Sequence, residues 1–215
     1  MKPLINPLRA VLLACLAAAA TAGLVMIPPG TTLPVHWGPS GAADGFAPRE
    51  VALLMPLALA ALVWGFYLLL PRFVRAGDMD AGKRPLGVAL TAITGLALLI
   101  ELGIVLIGVG VEVNMVQAIA IAVGLLLVVL GNAMPKSQRN GLAGLRIPTT
   151  LGDPANWQAT HRLTGALSIV AGLVLVVSAL LVPTGQLIWW LLACVFVPFV
   201  AGAGYSLALA RRTRA

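Results

Sequence analysis

The sequence predicts an all-α fold: a polytopic membrane helix bundle of about six transmembrane helices, with both termini cytoplasmic. Three observations lead there. Only 10% of the 215 residues are charged and 60% are hydrophobic, with a mean hydropathy of +1.00. Soluble domains carry roughly 25% charged residues, so this chain cannot cover itself with a water-compatible surface, and lipid must be its solvent. Six apolar runs each approach the ~20 residues that a spanning helix needs. The basic residues collect at alternate ends of those runs.

The runs follow in order. The first, residues 8–27, is ended by Pro28-Pro29-Gly30. Lys2, Arg9, the apolar stretch and Ala20-Thr21-Ala22 also fit a cleavable secretory signal, but the run continues to Ile27, long enough to span. Ala14, Ala18 and Ala22 form a ladder at i, i+4, i+8 that suits close helix packing. The second run, 51–70, stops at Pro71, and the charged stretch 72–83 reads as a solvated turn. The third run is 86–108 and the fourth 114–131. The fifth, 163–182, is ended by Pro183, and its helix should begin earlier, at Pro154. There Asp153 can cap the free N–H groups and proline suits the first helical position. From Pro154 to Val182 such a helix is ~43 Å long. It exceeds the ~30 Å hydrocarbon core, so its first two turns should lie among the headgroups, with Trp157 and His161 one turn apart on one face. The sixth run is 187–210. Helix is required over open strand because a lipid-facing backbone must satisfy its own hydrogen bonds. The runs also lack the alternation of barrel strands.

Orientation follows from charge. The N-terminus (Lys2, Arg9), the second-to-third connection (Arg72, Arg75, Lys83, Arg84), the fourth-to-fifth connection (Lys136, Arg139, Arg146, Arg162) and the tail (Arg211, Arg212, Arg214) hold 13 of the 14 basic residues. Only Arg49 falls on the other side. Basic loops stay cytoplasmic, so these ends face inward, in a cell inner (cytoplasmic) membrane. The net charge of +7 therefore serves topology and contact with the lipid bilayer, and no direct nucleic-acid partner is expected.

Two connections are long enough to carry function. The external one, about 28–50, contains His36, Trp37, Asp44 and Phe46 within a Gly- and Pro-rich stretch of tight turns. The cytoplasmic one, about 132–162, carries Asn132, Pro135, Lys136, Asn140, Gly144, Arg146, Pro148, Trp157, His161 and Arg162. Glu101 is the one ionisable residue deep in a span; such a residue usually faces the bundle interior. It is expected to reach the outer interface or to bond a neighbouring helix. No metal site is expected, because zinc wants three or four ligands and the two histidines fall on opposite sides of the membrane. No cofactor is expected, and no nucleophile–base pair or catalytic residue is visible, so the chain does not read as an enzyme. Cys15 and Cys194 sit in apolar runs and read as packing residues.

Gly131-Asn132-x-Met134-Pro135-Lys136, then Asn140-x-x-x-Gly144-x-Arg146-x-Pro148-x-Thr150, then Trp157-x-x-Thr160-His161-Arg162-x-x-Gly165 resembles the SdpI family of bacterial immunity proteins. Pro34-x-His36-Trp37 with Gly41, Asp44 and Gly45 resembles the short domain of unknown function that precedes it in many members. The resemblance implies an N-terminal membrane region (1–110) with the His-Trp loop, followed by an SdpI-like membrane region (111–215). It implies immunity to a secreted, membrane-active peptide toxin, and a signal receptor that recruits a cytoplasmic transcriptional repressor. The external loop would then meet the peptide, and the cytoplasmic motif would form the docking surface. The competing reading, a small ion-coupled transporter, rests on Glu101 and on the prolines inside spans, Pro56 and Pro198.

Overall fold

A computed structural model describes residues 5–212, so Lys2 and Arg214 of the charge argument lie outside the described residues. Among the described residues, six helices are long and apolar enough to cross a membrane. They are α1 (Pro7–Met26), α2 (Arg49–Phe73), α3 (Ala76–Gly108), α4 (Met115–Ala133), α6 (Pro154–Leu181) and α7 (Leu187–Arg212). A hairpin of β1 (Thr32–Trp37) and β2 (Ala43–Pro48) joins α1 to α2, and the short α5 (Pro148–Gly152) precedes α6. The fold is an all-α polytopic bundle, with one small sheet at its surface.

Helix starts obey local chemistry. The Asn6 side chain accepts from Arg9 N–H, Asn114 from Gln117 N–H, and Asp153 from Ala155 N–H, with proline at the start of α1 and α6. The α6 start at Pro154 is the one expected from sequence. The stretch 72–83 is not a solvated turn: α3 begins at Ala76, only a residue or two after α2 ends. Asp78 in the first turn of α3 complements the helix dipole, and its Oδ1 accepts from Gly141 N–H at 2.8 Å.

The helices form two groups. The first is α1, α2 and α3; the second is α4, α6 and α7; α3 and α4 meet between them. In the first group Leu16, Ala60 and Ala97 pack together at mid-bundle, and Ile27, Leu33, Ala52, Leu53 and Ile104 pack together beneath the hairpin. The expected ladder at Ala14 and Ala18 is exposed. The reason is Arg9, which is buried and donates to Thr91 Oγ1 (2.9 Å) and the Gly87 carbonyl (2.6 Å) of α3. That anchor turns the heptad-spaced face Arg9, Leu16, Gly23 inward and the alanine ladder outward.

In the second group α4 and α6 touch backbone to backbone. A Cβ at Gly124 would lie 2.7 Å from the Gly172 carbonyl oxygen, and one at Gly131 would lie 2.6 Å from that of Gly165. Two glycine pairs, seven residues apart on each helix, let the axes approach closely.

The three connections on the hairpin side converge on Thr184. Asn114 Nδ2 donates to Thr184 Oγ1 at 2.8 Å. The hairpin turn reaches the same threonine at Gly41, whose φ of +89° favours glycine and where any Cβ would strike the Thr184 methyl.

Candidate functional site

The 28–50 loop is more ordered than its turn-rich composition suggests. β1 and β2 pair antiparallel with Pro34 opposite Phe46, His36 opposite Gly45 and Trp37 opposite Ala43, and the register is irregular around His36. The turn closes through Gly38 N–H to the Ala42 carbonyl and Gly41 N–H to the Gly38 carbonyl, both 2.9 Å. The sheet lies on the helices through Leu33, Val35, Trp37 and Ala47. Its other face presents His36, Asp44 and Phe46, with Phe46 61% exposed. His36 Nδ1 and Asp44 Oδ1 are 2.5 Å apart, and both side chains are largely exposed. Among the described residues no third acidic, histidine or cysteine side chain joins them. So three of the four residues expected to contact a ligand share one open face, while Trp37 turns toward the helices.

Arg49, the one basic residue on this side, also has a local task. Its guanidinium donates to the Leu24 carbonyl (3.1 Å), to the Ile27 carbonyl, and to Glu50 Oε1 (2.6 Å). It satisfies the orphan carbonyls at the end of α1, which explains an arginine outside the basic face without any ligand.

On the opposite face, residues 134–153 fold over the first turns of α6. Asn140 is buried and forms the nucleus of a turn. Its Oδ1 accepts from Leu142 N–H and Ala143 N–H (2.8 Å each), and its Nδ2 donates to the Gln138 carbonyl (2.7 Å). His161 is fully buried and stacks on Trp157, with ring centroids 4.0 Å apart and planes 18° apart. His161 Nε2 accepts from Leu145 N–H at 3.0 Å, so Nδ1 must carry the proton that it gives to the Trp157 carbonyl at 2.8 Å. Trp157 Nε1 donates to the Ser137 carbonyl (3.3 Å), and Gln158 Nε2 to the Pro135 carbonyl (2.8 Å). Gly144, with φ +112°, has no room for a Cβ because His161 Nε2 occupies that space.

The placement divides the expected motif in two. Asn140, Trp157 and His161 are buried and hold the loop from beneath, so they offer no surface to a partner or to headgroups. Asn132, Lys136, Arg146, Pro148 and Arg162 are exposed, and Pro135 is half-buried. Lys136 Nζ donates to Asn132 Oδ1 at 3.0 Å, and Arg139 caps α5 through the Leu151 carbonyl at 2.9 Å.

Sequence reasoning missed a second buried network. Asn156 donates to the Ser206 carbonyl (2.9 Å) and accepts from Ser206 Oγ (2.6 Å) and Thr160 Oγ1 (3.1 Å). Thr149 Oγ1 reaches Ser206 Oγ at 2.6 Å. This ties α5, α6 and α7 together. The available signal was a polar or small residue at every fourth position of α6: Asn156, Thr160, Thr164 and Ser168.

Glu101 neither reaches an interface nor bonds a neighbour. It is fully buried on the face of α3 that packs into the first group, and both carboxyl oxygens lack a hydrogen-bond partner among the described residues. Trp64 Nε1 and Thr94 Oγ1, 3.1 Å apart, lie two turns away along that face.

The sequence model of the SdpI/YfhL protein family matches residues 136–206, and that of a domain of unknown function, DUF1648, matches residues 10–60. The chain is 27% identical over 145 residues to the immunity protein SdpI of Bacillus subtilis (strain 168), covering 67% of this chain and 68% of the relative. No solved structure matches. The DUF1648 region contains the hairpin, most of α1 and the first half of α2, and the SdpI/YfhL region runs from the folded basic loop through α6 into α7. By these matches the second half of the chain is similar to the SdpI/YfhL protein family, and a DUF1648-like region precedes it.

Proposed function

We propose that this chain is an integral membrane immunity protein that protects its cell from a secreted, membrane-active peptide. The observation that carries the reading is its similarity to the immunity protein SdpI. The geometry supports it: the hairpin offers an open face of His36, Asp44 and Phe46 on a rigid base. In the proposed topology that hairpin faces outward. The opposite face, with Lys136, Arg139, Arg146 and Arg162 exposed, faces the cytoplasm and docks an acidic surface of a repressor protein.

The test is survival of a sensitive bacterium across a peptide titration, with and without the chain. A rightward shift is expected. His36→Ala with Phe46→Ala should reduce that shift at equal membrane levels. An unchanged survival curve with protein present in the membrane refutes the immunity reading, and an undiminished shift in the double variant refutes the role of the hairpin face.

One observation favours a second reading, an ion-coupled transporter: the fully buried Glu101, whose carboxyl oxygens have no partner. A solute flux into proteoliposomes that Glu101→Gln abolishes distinguishes it from immunity by binding.

A further inference from the structure

The two helix groups meet along α3 and α4. α3 and α4 are in close contact near one end, where a Cβ on Gly103 would collide with the Met115 side chain. From that contact, whose Gly103 and Met115 line the larger of the two, they leave two adjoining cavities of about 320 and 230 Å³ along the seam. Both are lined by Gly95 and Leu99, so they form one groove. It runs from Leu106 to Ala92 on α3 and from Val113, just before α4, to Val129 on α4, with an almost wholly apolar lining. Gly95 sits at the middle, and a Cβ there would meet open space.

We propose that this groove holds an acyl chain of one anionic phospholipid, whose phosphate is bound by Arg84 and Lys136. The span from Ala92 to Leu106 is about 21 Å along the helix axis. That exceeds one leaflet of a ~30 Å hydrocarbon core, so an extended acyl chain fits lengthwise. An apolar groove left empty forfeits dispersion contacts along its whole lining, and within a bilayer the apolar chain at hand is a lipid's. The headgroup end is set by charge. Residues 84, 88, 92, 95 and 99 share one face of α3 by helical spacing, which puts Arg84 about 12 Å beyond the groove. On α4, residues 122, 125, 129 and 132 continue the groove face, and Lys136 follows in the short 3-10 turn Met134–Lys136 after the helix, bonded back to Asn132. That bond leaves two of its three N–H donors for a phosphate. Both cations are exposed and lie at the same end of the groove. A zwitterionic headgroup would bring its own cation beside them; an anionic one would not. The proposal rests on the membrane fold and is independent of the immunity reading.

The experiment is native mass spectrometry of the full chain released from detergent, titrated with phosphatidylglycerol and, separately, phosphatidylcholine. One tightly held phosphatidylglycerol is expected. Arg84→Gln and Lys136→Gln should each weaken it about five-fold, as one surface cation contributes to anionic-lipid binding, while Arg72→Gln should not. Gly95→Leu fills the groove and should weaken both lipids, while Gly65→Leu, at another open glycine, leaves both unchanged. Equal binding of the two lipids, or retention by the Gly95→Leu variant, overturns the proposal. So does a dimer that Gly95→Leu dissolves, since the occupant would then be a second copy. The charge variants lie at exposed positions and keep the test valid should Gly95→Leu fold poorly.

Discussion

His161 shows what burying a polar side chain demands. An imidazole with no exposed surface must satisfy both nitrogens. It does so with one backbone carbonyl of its own helix and one backbone N–H of the loop above it. The loop can deliver that N–H only if the chain passes close over the ring, and Gly144 at φ +112° makes the passage. Gly144→Ala should therefore cost about 1–3 kcal/mol from backbone strain alone, beyond the contact with His161 Nε2. The check is thermal unfolding in detergent. Gly77→Ala, at a helical glycine with open space around it, should leave the midpoint unchanged or raised. The spacing of Trp157 and His161 was legible in the sequence. Their burial was not, because the residues that cover them, Ser137 and Leu145, come from a loop 16 to 20 positions earlier.

At the scale of elements, hydropathy fixed the six spans to within a few residues, except where α3 extends ten residues ahead of its apolar part. Periodicity did less well at choosing faces. The alanine ladder of α1 and the glycines of α4 and α6 look alike as small-residue spacings, yet Ala14 and Ala18 face outward while Gly124, Gly131, Gly165 and Gly172 form the tightest seam in the molecule. The choice lies in tertiary anchors such as Arg9, which no local pattern reveals. The hairpin was hidden for a related reason: Pro34 and Pro48 inside its strands interrupt the usual strand signature, and its apolar face is defined only by the helix ends beneath it. The glycine seam yields a prediction of its own. Gly172→Val must force α4 and α6 apart against the rest of their contacts, and overpacking of this kind costs about 1–3 kcal/mol. A clear drop in the midpoint of thermal aggregation is expected for it and for Gly131→Val. Gly65→Val, where nothing lies within contact distance, should behave as wild type.

Across the whole molecule, the two helix groups are joined along the α3–α4 seam and by a specific contact at each face. On the hairpin side the turn at Gly41 packs against the Thr184 methyl, and Asn114 of the second group holds that threonine in place. On the other side Asp78 of α3 holds the backbone of the folded loop at Gly141. Each link crosses from one group to the other, so each decides how firmly its face is closed. The bundle between them is apolar and separates the faces by most of the ~30 Å of a bilayer core, so loosening one should not loosen the other. Asp78→Ala removes a charged acceptor whose hydrogen bond is worth about 1.5–3 kcal/mol. Amide hydrogen exchange across residues 137–147 should then rise roughly ten-fold or more, with the hairpin unchanged. Thr184→Ala should do the converse, raising exchange at the hairpin turn and the first turn of α4 while the basic loop stays protected. If either substitution raised exchange at both faces, the two groups would be moving as a unit. The face-by-face independence argued here would then give way to a rigid coupling through α6 and α7.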